Sequence, residues 1–179
     1  MELDPEDSVD AIALAWLRER PQTPVDSIGI VTRLWHAAKL LGDDRTRLLR
    51  EAGADTATLD LLSTLRRSGP PYRLTTRELA DSALITAGAI TQRVDRAERE
   101  GLVTRSPQRE ASRRVDVELT DLGHATVERL VDAVLQRELA LLEGFPAGER
   151  EQLSALLRKL LSTLHTSLGH RQPGHVGDD

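Results

Sequence analysis

Apolar residues recur at helical spacing along most of this chain, and the departures are concentrated in one stretch near its middle. Val9, Ile12, Ala13, Trp16 and Leu17 follow an i, i+3, i+4, i+7, i+8 stripe. The stripe predicts an amphipathic helix over residues 6–19, broken by the segment from Pro21 to Pro24. A longer helical pattern runs from Asp26 to Ala52 through Ile30, Leu34, Ala37, Ala38, Leu41, Leu48 and Leu49. Gly42-Asp43-Asp44 predicts a bend inside it and Gly53 marks its end. Thr56 to Arg67 places Leu59, Leu62 and Leu65 on one face, and Ser68-Gly69-Pro70-Pro71 reads as a linker.

From Thr75 onward the elements shorten. Thr75-Thr76-Arg77-Glu78 is a capping box, in which the threonine hydroxyl and the glutamate three residues on satisfy each other's backbone donors. Ala83-Leu84-Ile85 then carries the chain through a turn to Thr86, an N-cap for a second short helix. In that helix Ile90, Val94 and Ala97 form a narrow apolar stripe, and Gly101 stands where a left-handed cap belongs. Its broad polar face holds Gly88, Ala89, Gln92, Asp95, Arg96 and Arg99, which can meet a nucleic acid without disturbing a core.

The period then changes to two. Leu102-Val103-Thr104-Arg105 and Val115-Asp116-Val117-Glu118-Leu119 read as strands, the second in strict alternation. The loop between them carries Arg109, Arg113 and Arg114, and a ribbon tipped with arginines suits phosphates or a minor groove. Asp121 to Glu143 returns to helical spacing (Leu122, Val127, Leu130, Val131, Val134, Leu135, Leu139, Leu142). After Gly144-Phe145-Pro146, a last leucine-rich helix spans about Ala147 to Leu168. These two helices have wide apolar faces and few aromatic residues for a private core, which predicts packing against a second chain; the alternative is an antiparallel hairpin folded on its own lobe.

The expected fold is therefore mainly α: a winged helix-turn-helix with a two-stranded β wing, and long helices forming a dimerisation region. Its divisions are 1–68 (N-terminal and dimerisation helices), 72–120 (winged lobe), 121–168 (C-terminal dimerisation helices) and 169–179 (a disordered tail).

Composition narrows the chemistry. The 179 residues include no cysteine, which removes disulfides, thiolate catalysis and the usual structural zinc sites. The histidines show no ligand-like clustering beyond His170 and His175 in a Pro/Gly-rich tail, so no metal site and no cofactor is expected. No nucleophile-base-acid set or phosphate loop points to an enzyme. With no membrane-length apolar run and no signal-peptide pattern, the expected location is cytoplasmic, with no membrane partner. Net charge is −5, yet Arg73 to Arg114 holds nine arginines against six acids, leaving +3 there and −8 elsewhere. That asymmetry fits a basic reading head on an acidic scaffold.

At this point the residues resemble a family. Glu100-Gly101-Leu102-Val103 closing a polar helix, an arginine-rich wing, and then Val117-Glu118-Leu119-Thr120-Asp121-Leu122-Gly123 resemble the multiple antibiotic resistance regulator (MarR) family of bacterial transcription factors, over roughly Asp26 to Leu168. The resemblance implies a homodimer on double-stranded DNA, with the recognition helix supplying Thr91, Gln92, Arg96 and Arg99 and the wing supplying Arg109, Arg113 and Arg114. The chain has no asparagine, so Gln92 is the candidate for a bidentate contact to adenine, while Arg96 and Arg99 suit the backbone, with guanine an option for Arg96. Where the family usually carries a wing aspartate two residues before an arginine, this chain has Ala111 before Arg113, with Glu110 a possible substitute.

One subgroup, the urate-responsive regulators, resembles the chain further. It has an additional N-terminal helix bearing a tryptophan, an early aspartate in the helix before the DNA-binding lobe, an arginine in the recognition helix and another after it. The matching positions are Trp16, Asp60, Arg93 and Arg105, which implies a small anionic aromatic effector such as urate. Other readings stand beside this one. Trp16 lies on an apolar stripe, where packing explains it as well as stacking does; Asp60 is opposite the Leu59/Leu62/Leu65 stripe, where a solvated carboxylate is ordinary; Arg105 could hold a phosphate or pair with an acid. Arg93 sits at the edge of the Ile90/Val94/Ala97 stripe, better placed to reach behind the helix than into a groove. The leading function is a ligand-responsive repressor on a pseudo-palindromic operator; the alternative is a winged-helix module that binds another protein.

Overall fold

The structure, a computed structural model, describes residues 7–83, 87–107 and 115–169. The chain forms two compact units, residues 1–47 and 48–179. In the first, α1 (Ser8–Glu19) starts where the Asp7 carboxylate accepts the backbone N–H groups of Val9 and Asp10. Asp7 also takes two 2.8 Å hydrogen bonds from the Arg33 guanidinium, and Asp10 takes one more. The bond from Arg33 is the largest of the causes that lower the Asp7 carboxyl to about 2, against an ordinary 3.8.

Arg33 lies on α2 (Ile28–Glu51), whose last turn belongs to the second unit. The expected bend at Gly42-Asp43-Asp44 is absent, and the helix runs on unbroken. A helical glycine costs about 1 kcal/mol relative to alanine but leaves the hydrogen-bond ladder intact. Here Lys39 bridges to Asp43 at 2.8 Å across the same turn. Gly53, at φ 75°, does end the helix, with Ala54 N–H donating back to the Leu49 carbonyl.

The second unit is a mainly helical winged helix-turn-helix. Its elements are α3 (Thr56–Arg67), β1 (Arg73–Thr75), α4 (Thr76–Ala83), α5 (Ala87–Arg99), β2 (Val103–Pro107), β3 (Val115–Leu119), α6 (Asp121–Leu141) and α7 (Ala147–Leu168). The core joins Leu61, Leu62 and Leu65 of α3, Leu79 of α4, Ile90, Val94 and Ala97 of α5, Val103 and Val117 of the sheet, and Val127 of α6. A neighbouring cluster packs Leu49 from the end of α2 against Leu59, Leu130 and Val134. The capping box forms as expected: the Glu78 carboxylate accepts Thr75 N–H at 2.7 Å, and Thr75 Oγ1 accepts Glu78 N–H at 3.2 Å.

The two wing strands form and pair as expected, and a third strand, β1, joins their sheet. The sheet has three antiparallel strands in the order β1-β3-β2, with Leu74 opposite Val117 and Val103 opposite Leu119. Three residues ahead of a capping box are too few to show an alternation, so β1 leaves almost no mark in the sequence. It also changes the burial of β3. As the central strand, β3 has Asp116 between Thr75 on one side and Ser106 on the other, and this carboxylate-bearing residue is 8% exposed where strict alternation predicted an open face. The expected turn over Leu84 and Ile85, the Thr86 cap, the wing tip with Arg109, Glu110, Ala111, Arg113 and Arg114, and the tail from 170 onward lie outside the described residues.

α6 is capped by Thr120, whose Oγ1 accepts Gly123 N–H. Gly123 itself touches the backbone where α5 gives way to β2: a Cβ placed there would lie 2.0 Å from the Leu102 carbonyl oxygen. α7 matches its predicted span, and none of its residues is buried. Leu156, Leu161 and Leu168 are all more than half exposed. Among the described residues no helix is long and apolar enough to cross a membrane, and no three metal-ligating side chains gather.

Candidate nucleic-acid interface

The surface of interest is built on α5. Ile90, Val94 and Ala97 are each at most 3% exposed and seat the helix on the core. Thr91, Gln92, Asp95, Arg96 and Arg99 are exposed, as the helical period requires of the opposite face. Gly101, at φ 71°, closes the helix, and Leu102 N–H returns to the Ala97 carbonyl at 2.8 Å. The helix therefore presents a polar face anchored from behind.

Two of its neighbouring arginines already hold carboxylates. Arg96 donates Nη1–H to Asp55 and Nε–H to Glu100, the latter at 2.8 Å. Asp55 is the N-cap of α3, and its other oxygen accepts Thr58 N–H at 2.8 Å. Burial pushes the Asp55 carboxyl up, but the bonds from Thr58 and Arg96 outweigh it and hold the group below its ordinary value. Arg96 is raised in turn, first by Glu100 and then by Asp55. On β2, Arg105 pairs with Asp95 and, through Nε, with Glu98 at 3.2 Å, tying the first wing strand to the recognition helix.

The residues expected to hold an effector divide. Asp60 and Arg93 are brought together, Nη1 to Oδ2 at 3.9 Å, with the Arg93 side chain only 27% exposed, which agrees with its position at the edge of the apolar stripe. Arg105 is not brought beside them. Its partners Asp95 and Glu98 lie about 140–200° round α5 from Arg93, at the 100° per residue of an α-helix. Trp16, on α1 of the first unit, is 47% exposed rather than packed away. An open groove of about 250 Å³ lies along the start of α3 and the near side of α5, lined by Asp55, Thr58, Gln92, Arg93 and Arg96.

The acidic partners of the arginines do not stand out in the sequence. The Arg96/Glu100 spacing of i, i+4 is a usable signal, and Asp55 before Thr56 reads as a cap. Nothing local in the sequence joins Asp55 to Arg96, 41 positions away.

The comparisons with known proteins fall on this geometry. The profile of the MarR family matches residues 53–114, from the end of α2 into the wing. Over these residues the lobe is similar to the MarR family. Over 152 residues the chain is 29% identical to the HTH-type transcriptional regulator PecS of Dickeya dadantii, covering 85% of this chain and 92% of that protein. Sco3205 of Streptomyces coelicolor, a MarR-family transcriptional regulator solved in complex with DNA, is similar in structure with a TM-score of 0.65 at 28% identity, covering 78% of this chain and 92% of its own. NadR, solved in complex with 4-hydroxyphenylacetate, is similar with a TM-score of 0.55 at 25% identity, covering 73% of this chain and 91% of its own. Of these, PecS and Sco3205 are transcriptional regulators.

Proposed function

We propose that the chain is a homodimeric repressor that binds a pseudo-palindromic operator through α5 and the wing and is released by a small planar anion such as urate. The observation that carries the DNA reading is the α5 surface: a helix seated by three buried residues whose other side, with Thr91, Gln92, Arg96 and Arg99, is left to solvent. Arg109, Arg113 and Arg114 of the wing add positive charge toward phosphates. The Sco3205–DNA complex supports the same use of the lobe.

The dimer is supported by α7, a helix of 22 residues with none buried. An isolated helix is marginal in water, and its stability comes from burying an apolar face. A second copy of the same helices would supply that burial, and a two-fold pair would set two recognition helices about one DNA turn apart.

For the effector, the supporting observation is the Asp60–Arg93 pair. An anion that takes the Arg93 guanidinium brings its charge toward Asp60, and relief of that repulsion by a shift of α5 favours a lobe geometry unsuited to DNA. Trp16 and Arg105 are included by resemblance. The ligand in NadR, 4-hydroxyphenylacetate, is likewise a small anion with a planar ring.

The test is a thermal-shift panel of planar anions alongside fluorescence anisotropy on DNA from the neighbouring promoter. Urate or a similar anion is expected to raise Tm and release DNA; Arg93→Ala abolishes that response while largely sparing DNA binding, and Asp60→Ala keeps ligand binding but uncouples release. Binding of DNA with no thermal shift from any planar anion would remove the effector part alone.

A further inference from the structure

Arg96 stands on the exposed face of α5 beside Gln92, where a phosphate or base edge would meet it, and it is already occupied by two carboxylates from two different elements. Glu100 is on its own helix. Asp55 is not: it comes from the start of α3, fixed by the cap bond to Thr58 and therefore unable to swing away as a free surface acid would. The pair is open to water, with the Arg96 and Asp55 side chains both nearly half exposed. Such a pair is weak enough to be exchanged for a phosphate. It is also fixed enough that each exchange must break it.

We infer that Asp55 sets the affinity for DNA: it is an internal carboxylate that competes with phosphate for Arg96, so that each contact the arginine makes with DNA is made at the expense of its pairing with Asp55. On arbitrary DNA, the attraction of Arg96 to a phosphate is offset by the loss of its pairing with Asp55, and non-specific binding is held down. On the operator the remaining interactions fix the lobe close enough for phosphate to win, and there the pairing with Asp55 is given up in full, so operator affinity is held down at least as far. This rests on the DNA-binding function proposed above and assigns to that function a carboxylate that holds its affinity down.

The substitution that tests it follows from the cap. Asn and Asp are equally good at an N-cap, so Asp55→Asn keeps the bond to Thr58 while removing the charge that holds Arg96. Binding to the operator and to scrambled duplex is measured by anisotropy across a salt series for the wild type, Asp55→Asn, Arg96→Gln and the double variant, with circular dichroism melts of each. Asp55→Asn is expected to bind scrambled DNA about two- to five-fold more tightly, the range of an exposed ion pair released. Its log–log salt slope is expected to steepen by about 0.9, one phosphate contact. The operator affinity rises at least as much, because that complex gives up the pairing in full, and in the Arg96→Gln background Asp55→Asn changes neither affinity nor slope. Unchanged affinities and slope in Asp55→Asn, or the same tightening with and without Arg96, overturns the inference while leaving DNA binding standing. A wild type that binds neither duplex at any salt overturns the functional reading and this inference with it.

Discussion

Gly123 offers the sharpest test of how the lobe is joined. It is the third residue of α6, and a β-carbon there would lie 2.0 Å from the Leu102 carbonyl oxygen and 3.2 Å from Leu119 Cδ2. A carbon and a carbonyl oxygen settle near 3.3 Å at the closest, so the helix start and the β2 entry must separate by roughly 1.3 Å. The same carbonyl accepts Thr120 N–H at 3.1 Å, and Thr120 Oγ1 donates to the carbonyls of Gly101 at 2.7 Å and Leu102 at 3.1 Å. Separation therefore weakens this hydrogen-bonded joint as well as relieving the overlap.

For Gly123→Ala, overpacking against backbone costs ~1–3 kcal/mol and a weakened hydrogen bond about 1 kcal/mol. Alanine's better helix propensity returns at most about 1 kcal/mol. The net is a loss of about 1–3 kcal/mol, which at ~2–4 °C per kcal/mol for a chain of this size lowers Tm by roughly 2–12 °C. Gly42→Ala is the matched control: it lies inside α2, a β-carbon there meets nothing within 4 Å, and it should stabilise by up to about 1 kcal/mol. Thermal melts of both variants at one protein concentration decide the matter. If Gly123→Ala melts at or above the wild type, the close approach to Leu102 does not exist in solution.

Three further outcomes are expected. The Asp7 carboxyl should titrate near 2 by NMR and move back toward its ordinary range in Arg33→Gln; because its folded pKa is depressed, its contribution is complete above pH ~4 and is lost as pH falls from about 4 through 2, so stability unchanged across that window would contradict the pairing with Arg33. Leu156→Glu, on the uncovered face of α7, should convert a dimeric wild type to monomer by light scattering at micromolar concentration, and an unchanged mass would mean that this face is not the interface. Gln92→Ala should relax preference at one base pair at a cost of ~1–3 kcal/mol, whereas Arg113→Ala should weaken all sequences and flatten the salt dependence; equal, uniform losses across a randomised operator library would end the assignment of Gln92 to base reading.

What is legible in the sequence is what short-range periodicity controls. The stripe Ile90/Val94/Ala97, the Thr75/Glu78 box, the glycine ends at 53 and 101 and the spans of α3 and α7 all follow from residues within one or two turns of each other. The third strand escapes such a reading because its signal lies across the sheet, in the match of Leu74 to Val117 and of Arg73 to Glu118. The burial of Asp116 escapes it for the same reason, since it follows from having a neighbour on each side. At the candidate site, the position of Arg93 is readable from its angle on the helix, but the occupation of Arg96 by Asp55 and of Arg105 by Asp95 and Glu98 is not, because fold topology alone sets which acids arrive there.

The charge distribution takes on a different sense once those pairs are known. An excess of +3 between Arg73 and Arg114 suggests a strongly attracting head, yet Arg96 and Arg105 each face two carboxylates. A single lobe so screened binds DNA weakly, and under the dimeric reading its affinity comes from two lobes acting at once, the second binding at the high effective concentration set by the first. Such an arrangement is easy to switch. An effector at Arg93 need not block any contact with DNA; it needs only to shift one recognition helix enough that both cannot engage together, and the whole bivalent advantage is lost. Strong individual lobes would hold on through such a shift, so under the proposed function carboxylates that weaken each lobe would let a small anion release the pair.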